Sequence, residues 1–241
     1  ARAALSAGFR TMRAAARAIH AVFAGGFLPA AVEVADRFTL EAAREFKPGA
    51  SFPPGNAHLL LEVDGQPGSV RGEVRALANL LREQRATAVE SATTEAACER
   101  LWDLRRAFSE SLKATGLKKL NEDVVVPRGK LVALIEFAQS LQRRSGFPVA
   151  CFGHAGDGNI HVNIMVGEYQ DAQIHARADA ALDELFSQII AWGGAITGEH
   201  GIGLAKKPWW NLALSEENRA LHGVLKHALD PKALLNPGKF I

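Results

Sequence analysis

The sequence predicts one mixed domain in which about seven strands alternate with helices. Three observations carry that prediction. Short β-type runs bounded by Gly, Pro and Asp alternate with amphipathic helical runs from end to end. No low-complexity linker divides the 241 residues. The two halves share a strand–helix–strand rhythm without an exact repeat, so residues 1–241 read as one domain built of two related halves. Such alternation fits a doubly wound parallel sheet, or split βαβ units in which an antiparallel sheet carries helices on one face.

Taken in order, the Ala- and Arg-rich stretch Arg2–Phe23 reads as a helix with a basic face, ended by Gly25-Gly26. Phe27–Val34 reads as a strand, Asp36–Phe46 as a helix, and Lys47–Asn56 as a Pro/Gly-rich loop. His58–Val63 is a strong strand closed by Asp64-Gly65. Val70–Arg85 is an amphipathic helix with Val74, Leu77, Leu80 and Leu81 on one face. Ala86–Ser91 is a strand, and Thr93–Leu112 a helix with a Thr cap and Glu95 in its first turn. Val124–Val126 is a short strand stopped by Pro127, and Lys130–Arg144 a helix with Gly146 as C-cap. Val149–Gly153 and Ile160–Val166 are strands, the second alternating cleanly. Asp171–Trp192 is a long helix ending at Gly193-Gly194, and Ala195–Thr197 a short strand. Ser215 caps a helix running to about Leu229. The tail Asp230–Ile241 carries rigid turns and is expected to pack on the core.

Composition excludes several classes. Hydrophobic residues at 48% and charged residues at 22% fit a globular protein. Two cysteines, Cys98 and Cys151, do not make a disulfide scaffold or a cysteine-only zinc cluster. A net charge of +2 and 7% aromatics give no nucleic-acid footprint. No run of about 18 apolar residues offers a membrane span. The chain begins Ala1-Arg2 without an initiator Met or signal-peptide pattern, as expected of a piece of a longer polypeptide.

Chemistry concentrates in two glycine-rich segments. In GHAGDGNIHVNIMV (Gly153–Val166), His154 leaves one strand and His161 lies in the next. His161, Asn163 and Met165 share one face of that strand. A sharp turn brings His154 back beside His161, half of a divalent-metal site; the alternative is two surface histidines flanking a turn. In GGAITGEHGIG (Gly193–Gly203), five glycines in eleven residues surround the adjacent pair Glu199 and His200. Glu199 would complete a two-His, one-carboxylate set, leaving His200 as a general base near neutral pH. The alternative is a flexible loop with a surface Glu-His pair. Neither glycine cluster continues into G-x-G-x-x-G or a P-loop string. A third segment, Leu101–Pro127, places Ser109 one turn after Arg105, with Arg106 beside it and Lys118-Lys119 beyond a Gly. Arg suits bidentate carboxylate binding; a solvated basic face is the rival reading.

GHAGDGNIHVN, GGAITGEHGIG and DPKALLNPGKF, in that order, resemble the C-terminal domain of FAD-linked oxidases. That family includes cytochrome-type D-lactate dehydrogenases, the glycolate oxidase flavin subunit and D-2-hydroxyglutarate dehydrogenases. The resemblance is strongest from Leu101 onward and weak before Ser91. It implies an α+β cap domain of the vanillyl-alcohol-oxidase type, an antiparallel sheet with helices in ferredoxin-like halves. It implies an N-terminal FAD-binding domain that this chain lacks, so that the fragment alone is expected to be inactive. His154, His161 and Glu199 fall on the family's metal ligands, and His200 on its base. Arg105, Ser109, Lys119 and Asn163 fall on substrate contacts, and Asn236 on a residue that approaches the flavin. The implied cofactors are FAD and a divalent metal, read as zinc.

The implied reaction is oxidation of a 2-hydroxy acid, of D configuration, to a 2-oxo acid. The expected partners are that small acid, the FAD-binding domain and a second copy in a homodimer. The expected location is cytoplasmic or at the inner-membrane periphery. Two rival functions remain: a non-catalytic cap or subunit-docking module with an inactive site, and a zinc hydrolase. The hydrolase string H-E-x-x-H is absent.

Overall fold

The computed structural model describes residues 1–239; Phe240 and Ile241, the end of the expected docking tail, lie outside the described residues. Seven strands form one sheet: β1 (Arg2–Phe9), β2 (Ala31–Ala35), β3 (Ala57–Asp64), β4 (Ala88–Ala92), β5 (Lys118–Val125), β6 (Val149–His154) and β7 (Asn159–Val166). Eight α-helices join or follow them: α1 (Met12–Ala24), α2 (Arg37–Phe46), α3 (Pro67–Glu83), α4 (Glu95–Ala114), α5 (Leu131–Ser145), α6 (Ala172–Ala191), α7 (Trp210–Ala213) and α8 (Glu216–Leu229). The sheet order is β4-β1-β3-β2-β6-β7-β5, and every pairing is antiparallel. The parallel alternative is thereby removed.

The order explains the repeated rhythm. In the first half, β1 and β2 are joined through α1 and lie either side of β3, with β4 outside β1. This is the split βαβ arrangement. In the second half, β5 and β6 are joined through α5 and lie either side of β7. The expected fourth strand, Ala195–Thr197, is instead a single bridge from Ala195 to Val125 after α6. The halves meet along β2 and β6, where Glu33 lies opposite His154.

The two faces carry different layers. Alternate residues Leu5, Ala7 and Phe9 of β1, Leu59 and Leu61 of β3, and Ile160, Val162 and Ile164 of β7 pack under α1, α3, α5 and α6. The intervening residues face α2 and α4, where Leu40, Phe108, Phe152 and Met165 pack in one cluster and Leu60, Cys98 and Leu101 in another. A sheet covered on both faces hides its alternation. That is why the N-terminal expectation fails. Arg2–Phe23 is not one helix but β1, a bend, and α1 capped by Thr11, whose side chain accepts from the Ala14 N–H. Ala favours helix by intrinsic propensity, but β1 lies between β3 and β4 and is buried from Ala3 to Phe9. Tertiary pairing overrides propensity.

Other elements form where local chemistry places them. Thr94 caps α4, Ser215 caps α8, and Gly146 ends α5 at φ 75°. The strand expected at Val124–Val126 is longer, starting at Lys118. In the described part of the tail, residues 230–239, Leu234 and Leu235 are exposed rather than packed on the core, as are Leu221, Val224, Leu225 and Leu229 of α8. Among the described residues no helix is long and apolar enough to cross a membrane.

Candidate functional site

The site sits at the seam between the halves, on the face that α2 and α4 cover. Strand alternation sends Glu33, His154, Phe152, His161 and Asp123 to that face from four neighbouring strands. The β6–β7 turn returns the chain so that His154 and His161 rings lie 5.9 Å apart. That turn depends on Gly158, at φ 83°. A Cβ there would stand 2.0 Å from the Val126 carbonyl oxygen. Gly158→Ala is therefore expected to cost about 2–4 kcal/mol of stability, from overpacking plus left-handed strain. Urea unfolding measures it, and an unchanged midpoint would refute the turn argument.

The loop after α6 supplies the remaining groups. Ligand atoms of His154, His161 and Glu199 all lie within 4.8 Å of one another. Glu199 Oε1 is 3.7 Å from His161 Nε2 and 3.9 Å from His200 Nε2. The His161 and His200 rings stack at 5.4 Å with 28° between their planes. Three donors around one tetrahedral ion would stand about 3.4 Å apart, so a modest closure of the half-exposed Glu199 arm suffices.

The donor set fits a metal in two further respects. His161 Nδ1 is buried with no hydrogen-bond partner among the described residues. Burial, with Arg105, His200 and His154 nearby, pushes the His161 pKa down to about 4, so its imidazole is a neutral donor at pH 7. His154 Nδ1 is bonded to Glu33 Oε1, which orients the ring and leaves Nε2 for a ligand. The Glu33 bond is the chief cause that raises the His154 pKa. Burial pushes the Glu33 carboxyl up, but the His154 bond and the Arg105 charge outweigh it and hold it below the usual range.

Asp123 organises the loop. Its carboxylate is fully buried. Oδ2 accepts the backbone N–H of Gly198 at 2.9 Å, of Glu199 at 2.7 Å and of His200 at 2.8 Å. The Thr197 hydroxyl donates at 3.2 Å, and the buried Lys206 ammonium bonds Oδ1. Burial opposes ionisation, yet Lys206 and the backbone donors win and hold the Asp123 pKa well below the carboxylate range. Asp123 Oδ1 also stands 3.6 Å from His200 Nδ1. Glu199 and His200 are thus held on a carboxylate anchor, not on a flexible loop.

The other expected contacts divide. Arg105 points into the site, but its Nε–H donates to Glu33 Oε2 at 2.5 Å, and its guanidinium lies 5.1 Å from the Phe152 ring centroid. It is not a solvated face residue. Lys119 Nζ donates to Ser109 Oγ at 2.8 Å and lies 5.9 Å from the same ring. Burial, then the Lys113 charge, lowers the Lys119 pKa. Asn163 is fully buried; Nδ2 donates to the carbonyls of Ala150 and His161, and Oδ1 has no partner among the described residues. Asn236 lies apart, in an exposed turn at φ 47°. Among the described residues no hydrogen bond or ion pair links it to the cluster.

A cavity of about 310 Å³ opens beside His154 and Glu33, walled by Phe23, Leu28 and Pro29. Sequence reasoning missed Glu33, Asp123 and Lys206. A lone acid in the apolar run AVEVA, and an acid just before VVVP, were the available signals.

Comparison with known proteins agrees with this fold. The family model described as "FAD linked oxidases, C-terminal domain" matches residues 1–240. Glycolate oxidase subunit GlcD of Bacillus subtilis is 29% identical over 231 residues, covering 96% of this chain and 49% of the relative. The Escherichia coli GlcD is 30% identical, covering 98% and 47%. D-2-hydroxyglutarate dehydrogenase of Xanthomonas citri pv. viticola is 36% identical over 151 residues, covering 61% and 31%. The chain thus spans about half the length of the glycolate oxidase subunits it matches. Two solved structures share the fold: p-cresol methylhydroxylase with substrate bound (TM-score 0.66, 13% identity, 100% of this chain and 52% of that one) and 4-ethylphenol oxidase from Gulosibacter chungangensis (0.65, 14%, 100% and 53%). By its sheet order, its ordered motifs and a match over nearly its whole length, the chain belongs to the FAD-linked oxidases, as their C-terminal domain.

Proposed function

We propose that this chain is the substrate-side domain of a flavin-dependent dehydrogenase that oxidises a 2-hydroxy acid, of D configuration, to the 2-oxo acid. One observation carries the reading: His154, His161 and Glu199 converge with His200 alongside. The relatives support it, since glycolate, D-lactate and D-2-hydroxyglutarate, after which they are named, share the 2-hydroxy-carboxylate group. The FAD-binding partner lies in the other half of the whole protein.

His154, His161 and Glu199 would hold a divalent metal, read as zinc, which supplies Lewis acidity toward the substrate's hydroxyl and carboxylate oxygens. FAD, carried by the partner domain, supplies the acceptor for the α-hydrogen and its electron pair. The chain's own residues do the rest. His200 takes the hydroxyl proton as general base, with Asp123 holding its backbone N–H and facing Nδ1. Glu33 fixes the His154 ring and positions Arg105. Arg105, Lys119 and Ser109, gathered around Phe152, receive substrate carboxylate and restrict its orientation.

Elemental analysis after dialysis tests the metal set. The wild-type chain is expected to retain about one divalent ion, and His154→Ala and Glu199→Gln to lose it. Equal metal content in all three would overturn the ligand assignment.

A further inference from the structure

A second cavity, of about 480 Å³, shares no lining residue with the cavity beside His154 or with the His/Glu cluster. It lies where β1 and β2 end and the chain turns into α1 and α2. Its walls include Arg10, Arg37 and Arg143, together with the first residues of both helices. Its volume falls within the roughly 300–1,000 Å³ of small-molecule sites.

The charges facing it do not cancel. Glu41 is paired with Arg37 at 2.7 Å. The Asp36 carboxylate is occupied by two backbone donors, the N–H of Thr39 at 3.0 Å and of Cys151 at 2.8 Å. Arg10 and Arg143, from separate elements, have no carboxylate partner among the described residues. The α1 N-terminus, capped by the neutral Thr11, adds partial positive charge, whereas that of α2 is already met by the Asp36 carboxylate. The remainder is lined by the amides of Asn56, Gln139 and Gln142 and by apolar side chains such as Met12, Phe38 and Ile135.

We propose that this cavity is a second ligand site, one that binds a small oxyanion of two or more negative charges between Arg10 and Arg143. Phosphate and polycarboxylate share that chemistry. The inference does not depend on the proposed oxidation.

Isothermal titration of the 241-residue chain with inorganic phosphate and with tricarballylate, a tricarboxylate without the 2-hydroxyl of the proposed substrates, at low ionic strength, tests it. One saturable site is expected, and the tighter probe identifies the source. Arg10→Ala or Arg143→Ala is expected to weaken binding about tenfold each, because a charge-assisted contact is lost. Arg10→Lys should retain part of the affinity. Both arginines are exposed, so unchanged far-UV circular dichroism should accompany the loss. Binding should persist in Glu199→Gln. No binding of either probe, unchanged affinity in both alanine variants, or loss in Glu199→Gln would overturn the site.

Discussion

Asp123→Ala is expected to lower unfolding free energy by about 3–5 kcal/mol, the cost of stranding one partner of a buried ion pair. Lys206 would keep its buried ammonium, with Glu122 at 3.7 Å as its nearest remaining carboxylate. Three consecutive backbone N–H groups would lose their acceptor as well. Urea unfolding of wild type, Asp123→Asn and Asp123→Asn with Lys206→Met separates the terms. The double variant should recover part of the loss, since the ammonium stranded by Asp123→Asn is gone, and only part, since Glu122 loses Lys206 as its partner. The pH dependence has a definite sign. The folded-state pKa of Asp123 is depressed, so its contribution is full above its unfolded value near 3.8 and is lost as pH falls toward the folded value. The gap between wild type and Asp123→Asn should therefore hold through neutral pH and close in acid. A gap that widens below pH 4 would contradict the assignment.

The second large effect is catalytic. In the complete flavoprotein, His200→Asn should slow flavin reduction by about 10²–10⁴-fold, the usual worth of a positioned base. Metal content should stay at the wild-type level, because His200 lies outside the proposed ligand set. Stopped-flow bleaching of the flavin reads the rate. A wild-type rate would remove His200 from the mechanism. A collapse of both rate and metal content would make it a ligand instead.

Much of this site was legible before folding. His154 and His161 flank a turn whose glycines announce a reversal, and one short turn suffices to bring their rings together. Glu199 and His200 stand in a glycine-dense loop, where Gly194 and Gly198 leave no room for a Cβ and Gly193, Gly201 and Gly203 take positive φ. The fold was less legible. The expected number of strands was right but not their membership: β1 was hidden by alanine, and Ala195–Thr197 contributes one bridge. Parallel and antiparallel readings could not be separated by periodicity, because both sheet faces are covered.

The amino-acid sequence alone determined the caps at Thr94 and Ser215, the glycine end of α5, the β6–β7 reversal and the identity of the chemical groups. Each follows from sterics and hydrogen bonding within a few residues. The tertiary structure decided which groups act on one another. Glu33 reaches His154 across 121 positions, and Asp123 reaches the His200 N–H across 77. No local period encodes such separations. They arise because antiparallel pairing sets four strands side by side, and strand alternation then sends their polar side chains to one face.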